Sequence, residues 1–178
     1  IQKAVISRRI PDTIVITVTE AKTAGSASYN GSYILLSAEG KVLATANAPA
    51  EGVPVIKGLD LKSANVSEQA QYNNSSQQTA MQDVAAAVEE NGIKNITEID
   101  MTNIYNIVLN YAGRIKIELG IPSDLSSKLK FAQTLLTKNI TEQDKGTLDL
   151  SLFEENNRGY FKPDYGSSQA QSSGQATK

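Results

Sequence analysis

Short runs of strictly alternating apolar and polar residues constrain the fold of this chain more than any other feature of its sequence. In residues 114–119 isoleucine and leucine alternate with charged residues, and in residues 147–152 leucine alternates with Thr, Asp and Ser. Successive side chains of a β-strand point to opposite faces of the sheet, so these runs predict strands with one buried and one solvated face. A sheet of such strands needs other elements to cover its apolar side.

Two stretches have helical spacing and predict those covering elements. The first helix is expected to follow a capping Ser75 or Ser76 and to end at Asn91-Gly92, and the second is expected to follow Ser123 or Asp124. The apolar residues of the first stripe are Ala80, Met81, Val84, Ala85 and Val88, and those of the second are Leu125, Leu129, Ala132, Leu135 and Leu136.

The predicted elements follow one another as strands, helix, strands, helix, strands. Asn30-Gly31 is a strong signal for a two-residue hairpin turn, and hairpin-length connections join many neighbouring runs. The sequence therefore predicts an α+β fold, in which two helices pack on a largely antiparallel mixed sheet.

Residues 1–20 predict a separate pair of strands. The segments 4–10 and 13–20 are rich in β-branched residues and are joined at the turn signal Pro11-Asp12. Two strands alone are marginally stable in water, so this pair is expected to pack on another part of the protein.

The C-terminal segment predicts a closing pair of strands over 147–152 and 158–161, the second of which stops at Pro163. The residues after it are almost all Ser, Gln, Gly and Ala, and Gly166–Lys178 contains no apolar residue larger than Ala. Such a tail buries too little surface to fold, so the last strand is expected to leave a sheet edge open.

The composition narrows the possible functions. The 178 residues include no His and no Cys, so an enzyme would depend on carboxylates, Lys, Ser or Tyr, and we expect neither a cofactor nor a metal. The formal net charge of −2 gives no basic surplus for nucleic acid or anionic lipid. No apolar run could span a bilayer, and no signal peptide or initiating Met is present, so we expect a fragment of a longer protein.

Five carboxylates could carry chemistry, but each has a more ordinary interpretation. Glu98 and Asp100 share one face of a predicted strand and could form an acid–base pair, although the solvated face of a half-buried strand is favoured. Glu142, Asp144 and Asp149 could surround a cation, but their spacing fits no calcium loop, and a solvated loop is favoured.

Two lysines of the second predicted helix could bind an anion. Lys128 and Lys130 are more simply interpreted as its polar face, opposite the leucine stripe. The free backbone donors at the start of this helix, in residues 119–124, could hold a phosphate, although a plain helix cap is favoured there.

Five segments between residues 1 and 162 resemble, in order, a known family. They are SRRIPDTIVITVTEAK, GSYILLSAEGKVL, VPVIKGL, NIVLNYAGRIKIELGIPSDLSSKLKFAQTLL and GTLDLSLFEENNRGYFKP. Their order and spacing are similar to those of the bacterial cell division protein FtsQ, called DivIB in Gram-positive bacteria.

The resemblance implies a single-pass membrane protein with a POTRA domain and a β-domain on the extracytoplasmic face of the plasma membrane, at the division septum. Residues 1–20 would be the last two POTRA strands, residues 21–162 the β-domain, and residues 163–178 a disordered tail. The anchor would be absent from this chain, and the source would be Gram-positive.

The resemblance also implies a non-enzymatic scaffold of the divisome that binds FtsB/DivIC-type and FtsL-type proteins, with no nucleic acid and no small-molecule substrate. We expect a partner to add a strand at the C-terminal sheet edge, where main-chain groups give affinity and alternate side chains give specificity. The residues expected to bind the partner are Leu152, Phe153, Arg158, Gly159, Tyr160 and Phe161.

Two alternatives stay open at this point. Tyr160 and Phe161 either anchor a partner beside the edge, or both pack inward or against the tail. The competing function is an extracytoplasmic module that binds peptidoglycan or a lipid-linked precursor. That function requires a concave site with convergent polar groups, for which the sequence gives no signal.

Overall fold

The computed structural model describes residues 3–164. Of residues 163–178, expected to be a disordered tail, Pro163 is instead the last residue of a strand, and residues 165–178 lie outside the described residues. Two helices and one short helical turn alternate with strands. In chain order the elements are β1 (Lys3–Arg9), β2 (Thr13–Thr19), β3 (Thr23–Tyr29), β4 (Ser32–Ser37), β5 (Val42–Ala46), β6 (Val55–Lys57), β7 (Leu61–Ser63), β8 (Gln71–Tyr72), α1 (Ser75–Glu90), β9 (Ile96–Asp100), β10 (Ile107–Tyr111), β11 (Ile115–Gly120), α2 (Leu125–Lys138), β12 (Gly146–Asp149), α3 (Phe153–Asn156) and β13 (Tyr160–Pro163).

Nine strands form one mixed sheet in the order β13-β12-β11-β10-β9-β6-β3-β4-β5. The pairs β11–β12, β3–β6 and β6–β9 are parallel, and the other five are antiparallel. The predicted α+β fold, with a largely antiparallel mixed sheet, is therefore confirmed. The sheet has two edges within the described residues, β13 at one end and β5 at the other.

The core lies between one face of this sheet and the two long helices. Ile99, Leu109 and Ile117 point from adjacent strands into it, and each is at most 2% exposed. From the helices, Met81 and Leu129 are fully buried, as both apolar stripes predicted. The polar residues that alternate with the buried ones line the opposite face, which we call the open face.

Two local signals explain how the chain enters these elements. Asn30 and Gly31 both have positive φ, at 49° and 80°, which is the conformation of a type I′ hairpin turn between β3 and β4. The helix α1 is capped by Asn74, whose side-chain oxygen accepts from the backbone N–H of Ser76 at 2.9 Å, so the predicted serine cap is wrong by one or two residues.

The buried position of Lys128 was not predicted. The sequence placed this residue on the polar face of α2, but it is 0% exposed. Its Nζ donates to the carbonyl oxygens of Leu119 at 3.0 Å and Ile121 at 3.1 Å. The ammonium group therefore binds main-chain acceptors at the end of β11 and ties α2 to that strand.

The strands β1 and β2 pair with each other as an antiparallel hairpin outside the main sheet. On one face, Ile6, Ile14 and Ile16 are 70%, 67% and 61% exposed. Each strand pairs on one side only, and this apolar face lies mostly in water, where it contributes little burial.

Candidate functional site: the terminal sheet edge

The terminal edge is built by β12 and β13. The strand β12 runs parallel to β11 and antiparallel to β13, with Leu148 opposite Phe161 and Asp149 opposite Tyr160. Thus β13 closes the large sheet on this side, as expected for the last strand.

The position of the last strand differs from the prediction by two residues. It begins at Tyr160 and ends at Pro163, whereas 158–161 was expected. The chain first forms the helical turn α3, which ends at Asn157 in the left-handed conformation, with φ of 52°. Because the polar segment after Leu152 forms this helical turn, the strand starts later than expected. Arg158 and Gly159 therefore lie in the connection between α3 and β13.

The backbone hydrogen bonds of β13 show which of its residues face β12. The backbone N–H of Asp164 donates to the carbonyl of Lys145 at 2.8 Å, so residue 164 faces β12. In an antiparallel pair the direction alternates, so Tyr160 and Lys162 also face β12, and Phe161 and Pro163 face outward. Pro163 has no backbone N–H. Because residue 163 faces outward, this absence removes no hydrogen bond to β12.

The two aromatic residues of β13 lie on opposite faces of the sheet. Tyr160 is on the open face and is 55% exposed. Phe161 is half-buried and packs against the core on the helix side. The alternative in which both rings pack inward is therefore wrong.

The other four residues expected at the site also differ in exposure. Leu152 is 52% exposed, and Arg158 is exposed. In contrast, Phe153 is buried and its ring centroid lies 5.2 Å from that of Phe131. A Cβ on Gly159 would overlap the side chain of Leu150 and lie 2.7 Å from the ring of Phe131.

A polar cleft of about 420 Å³ opens beside this edge and was not predicted. Four of its residues form a row across the open face, because Asn110 pairs with Lys116, Lys116 with Thr147, and Thr147 with Lys162. We call it the basic cleft. Its lining residues are Asn110, Gly113, Arg114, Lys116, Gly146, Thr147, Lys162, Pro163 and Asp164. The charged residues within the alternating runs were the signal in the sequence that could have predicted this cleft.

Arg114 is held rigidly at one side of the basic cleft. Its Nη1 donates to the carbonyls of Thr141 at 2.9 Å and Asp144 at 2.7 Å, and its guanidinium lies 5.6 Å from the ring centroid of Tyr111. The carboxylate of Asp144 accepts from the backbone N–H of Thr141, which holds the pKa of Asp144 below its usual range. Asp144 thus holds the loop of residues 141–144 in place through this hydrogen bond.

Glu98 and Asp100, the two carboxylates that could form an acid–base pair, are each held by a neighbouring residue. Glu98 forms an ion pair with Lys57 at 2.6 Å, and this pairing raises the pKa of Lys57. Asp100 accepts from Thr102, which lowers the pKa of Asp100. The lowered pKa makes Asp100 a weak base, and Glu98 is held in an ion pair, so these residues suit a solvated face.

A larger cavity of about 590 Å³ lies between the C-terminal turns of α1 and the first residues of β3 and β9. Its walls include the apolar residues Ala24, Ala85, Val88 and Ile96, with Lys22 and Lys94 among its polar neighbours. It lies in the other half of the sheet from β13.

Within residues 3–164, each helix is too short or too polar to span a bilayer. The family model for the C-terminal domain of the cell division protein FtsQ/DivIB matches residues 27–151, more than half of the chain. The chain belongs to the FtsQ/DivIB family. No curated protein matches it.

The FtsQ/DivIB family is a non-enzymatic family of membrane-anchored division-site proteins. In this FtsQ/DivIB chain the match begins inside β3 and ends just after β12. It therefore includes both long helices, the end of β3 and seven further strands of the nine-stranded sheet, while β13, at the terminal edge, follows the matched segment.

Proposed function

We propose that this chain is a scaffold of the bacterial divisome that accepts a strand from an FtsB/DivIC-type protein at β13 and also binds an FtsL-type protein during septum formation. The observation that carries this proposal is the terminal edge itself. In a chain of the FtsQ/DivIB family, β13 is an edge strand whose Phe161 directs its main-chain groups outward. Main-chain pairing at such an edge gives affinity for an extended segment.

The edge carries features that limit unspecific pairing. The strand β13 has four residues, it contains Lys162 and Pro163, and it is preceded by the exposed Arg158. Shortness, charge and proline all discourage addition of arbitrary strands. Tyr160 in β13 and Leu152 at the start of α3 are exposed, and these side chains would select the partner.

We also propose that residues 1–20 end a POTRA domain and that residues 21–162 form the β-domain, on the extracytoplasmic side of the membrane in a Gram-positive bacterium. The exposed face of the β1–β2 hairpin supports the first assignment. Its isoleucines need a partner surface, which the remaining strands and helices of a POTRA domain would provide.

Binding of peptidoglycan or a lipid-linked precursor has less support. The larger cavity is lined mostly by apolar side chains, and the basic cleft is continuous with the terminal edge. Polar groups do converge in the basic cleft, but a strand added at β13 would lie directly beside it, so the cleft does not by itself favour a precursor.

The experiment is a calorimetric titration of the chain with the extracytoplasmic segment of an FtsB/DivIC-type protein. The double variant with Leu152→Ala and Tyr160→Ala is expected to bind at least tenfold more weakly, because exposed apolar anchors dominate small interfaces. Tyr33→Ala, on the open face near the opposite edge, is the matched control.

Circular dichroism should show that the double variant stays folded, since its two anchor residues are exposed, and it also checks the fold of Tyr33→Ala, because Tyr33 is half-buried. Equal affinity of the double variant and the control would show that the terminal edge is not the binding surface. A titration with soluble muropeptides tests the competing function, and saturable binding of these alone would contradict the scaffold assignment.

A further inference from the structure

The larger cavity interrupts the packing between α1 and the sheet. Small side chains form its walls, with Ala24 and Ala38 on the side of the sheet and Ala85 on α1. Protein interiors are normally packed with few voids larger than a water molecule. A space of about 590 Å³ exceeds an ordinary packing defect, and it falls within the range of about 300–1,000 Å³ that is usual for ligand pockets.

The larger cavity is elongated and narrow. Its lining residues belong to or adjoin four neighbouring strands, from Ala38 after β4, through Ala24 in β3 and Pro54 before β6, to Ile99 in β9. Because neighbouring strands are about 4.8 Å apart, the cavity extends roughly 14 Å across the sheet. Ile96 and Ile99 line it but are only 7% and 2% exposed, so the opening that reaches them is too narrow for a helix about 10 Å wide.

The rim of the larger cavity carries a surplus of positive charge. Lys22, just before β3, and Lys94, between α1 and β9, are both exposed lining residues. Within the described part of the chain, Glu89 is the one carboxylate that lines the cavity, and neither lysine forms an ion pair. The cavity thus combines an apolar interior with two available ammonium groups at its mouth.

This chain offers no apolar segment to fill the cavity. The C-terminal residues 166–178 contain no apolar side chain larger than Ala. The isoleucines of the β1–β2 hairpin, Ile6, Ile14 and Ile16, are exposed and therefore do not occupy it. The occupant that the cavity fits is a separate molecule.

We propose that the larger cavity binds an amphiphile with one unbranched acyl chain and an anionic end, either a long-chain fatty acid or a monoacyl phospholipid. The acyl chain would lie along the cavity between Val88 and Ile96, since apolar cavities bind apolar ligands. The carboxylate or phosphate would lie at the rim, where Lys22 and Lys94 attract negative charge. A chain of a membrane-anchored family meets such amphiphiles at the bilayer.

The test measures binding of cis-parinaric acid, a fluorescent long-chain fatty acid, below its critical micelle concentration. Binding to the wild-type chain is expected to saturate. Val88→Trp places an indole ring in the cavity and is expected to weaken binding about tenfold or more, because the filled space no longer admits the acyl chain. Val66→Trp makes the same change at an exposed position outside the cavity and should bind like the wild type. Thermal unfolding checks that both variants stay folded.

A second set of variants tests the anionic end of the ligand. The double variant with Lys22→Glu and Lys94→Glu is expected to bind cis-parinaric acid about fivefold or more weakly at low salt, with a smaller loss at high salt. It should bind the uncharged methyl ester of this acid as the wild type does. The double variant with Lys62→Glu and Lys130→Glu changes the same charges at exposed positions outside the cavity and is the control.

Competition identifies the source of the amphiphile. Displacement of the probe by palmitate assigns a fatty acid, displacement by lysophosphatidylglycerol assigns a monoacyl membrane lipid, and either result supports the proposal. Displacement by farnesyl phosphate alone would assign the cavity to an isoprenoid carrier and overturn it.

Three further results would overturn this inference. They are the absence of saturable binding, equal affinities of the folded Val88→Trp and Val66→Trp variants, and loss of binding in the double variant with Ile14→Thr and Ile16→Thr. The last variant changes only the exposed face of the β1–β2 hairpin, so its loss of binding would place the ligand there. None of these results bears on partner binding at β13, which lies in the other half of the sheet.

Discussion

Gly159 and Tyr160 are neighbours in sequence but have different roles at the edge. A side chain on Gly159 would collide with Leu150 and Phe131, so this residue lets the chain pass close to the middle of α2. The N–H of Tyr160 faces β12, and its side chain faces solvent. Proline at either position would therefore disturb folding, whereas truncation of the tyrosine ring tests binding alone.

Tyr72 has a buried hydroxyl group with no hydrogen-bond partner in the described part of the chain. Burial raises its pKa to about 12 from 10.0. We expect Tyr72→Phe to leave the free energy of unfolding at pH 7 unchanged or to raise it by about 1 kcal/mol, because an unsatisfied polar group is removed. Urea unfolding measures this change.

The same substitution should alter stability in alkali. The unfolded tyrosine ionises near pH 10 while the folded one stays neutral, so the wild type loses stability between about pH 10 and pH 12. Tyr72→Phe should lose less over this interval, and Tyr105→Phe, at a residue that is 72% exposed, should behave like the wild type. Equal alkaline losses in all three proteins would contradict the burial of Tyr72.

At the scale of secondary structure, the helix α2 depends on its leucine stripe. Leu129 is fully buried against the sheet and Leu136 is 7% exposed. We expect Leu129→Ala to cost roughly 2–5 kcal/mol in the free energy of unfolding, measured with urea. Leu152→Ala removes the same atoms from an exposed position and should cost close to nothing. A negligible cost at both Leu129 and Leu136 would mean that α2 packs through a different face.

The central strands and both long helices could be predicted because each has one buried side, which imposes a period on the sequence. The short ribbon of β7 and β8 has too few residues to show a period. Lys128 was misplaced because its binding to the carbonyls of Leu119 and Ile121 depends on tertiary contacts. The start of β13 was misplaced because the turn α3 carries no distinctive local signal.

The candidate site could also be predicted only in part from the sequence. Alternation predicted the strand before the terminal edge, whereas the exposure of Tyr160 and the partial burial of Phe161 stayed open in the sequence. The basic cleft was missed because Lys116 and Lys162 are distant in sequence, and β12 brings them into one row. Parallel pairing of β11 with β12 has no signature in either strand.

At the scale of the whole molecule, the β1–β2 hairpin and the nine-stranded sheet are two sheets with no strand pairing between them. We expect deletion of residues 1–20 to leave the thermal midpoint of the remaining chain unchanged, because the apolar face of the hairpin is exposed. Differential scanning calorimetry measures this midpoint. A marked fall would show that the hairpin stabilises the sheet, which would contradict the boundary proposed at residue 20.

Pro163 has a kinetic consequence for any strand that pairs with β13. Within β13, Phe161 is the outward-facing residue that still has an N–H, so the added strand gains few main-chain bonds and should dissociate quickly on its own. A long-lived complex then requires that the partner be tethered nearby or hold a second site, which raises its effective concentration at the edge. Such an assembly can hold together as a whole while each of its contacts exchanges rapidly.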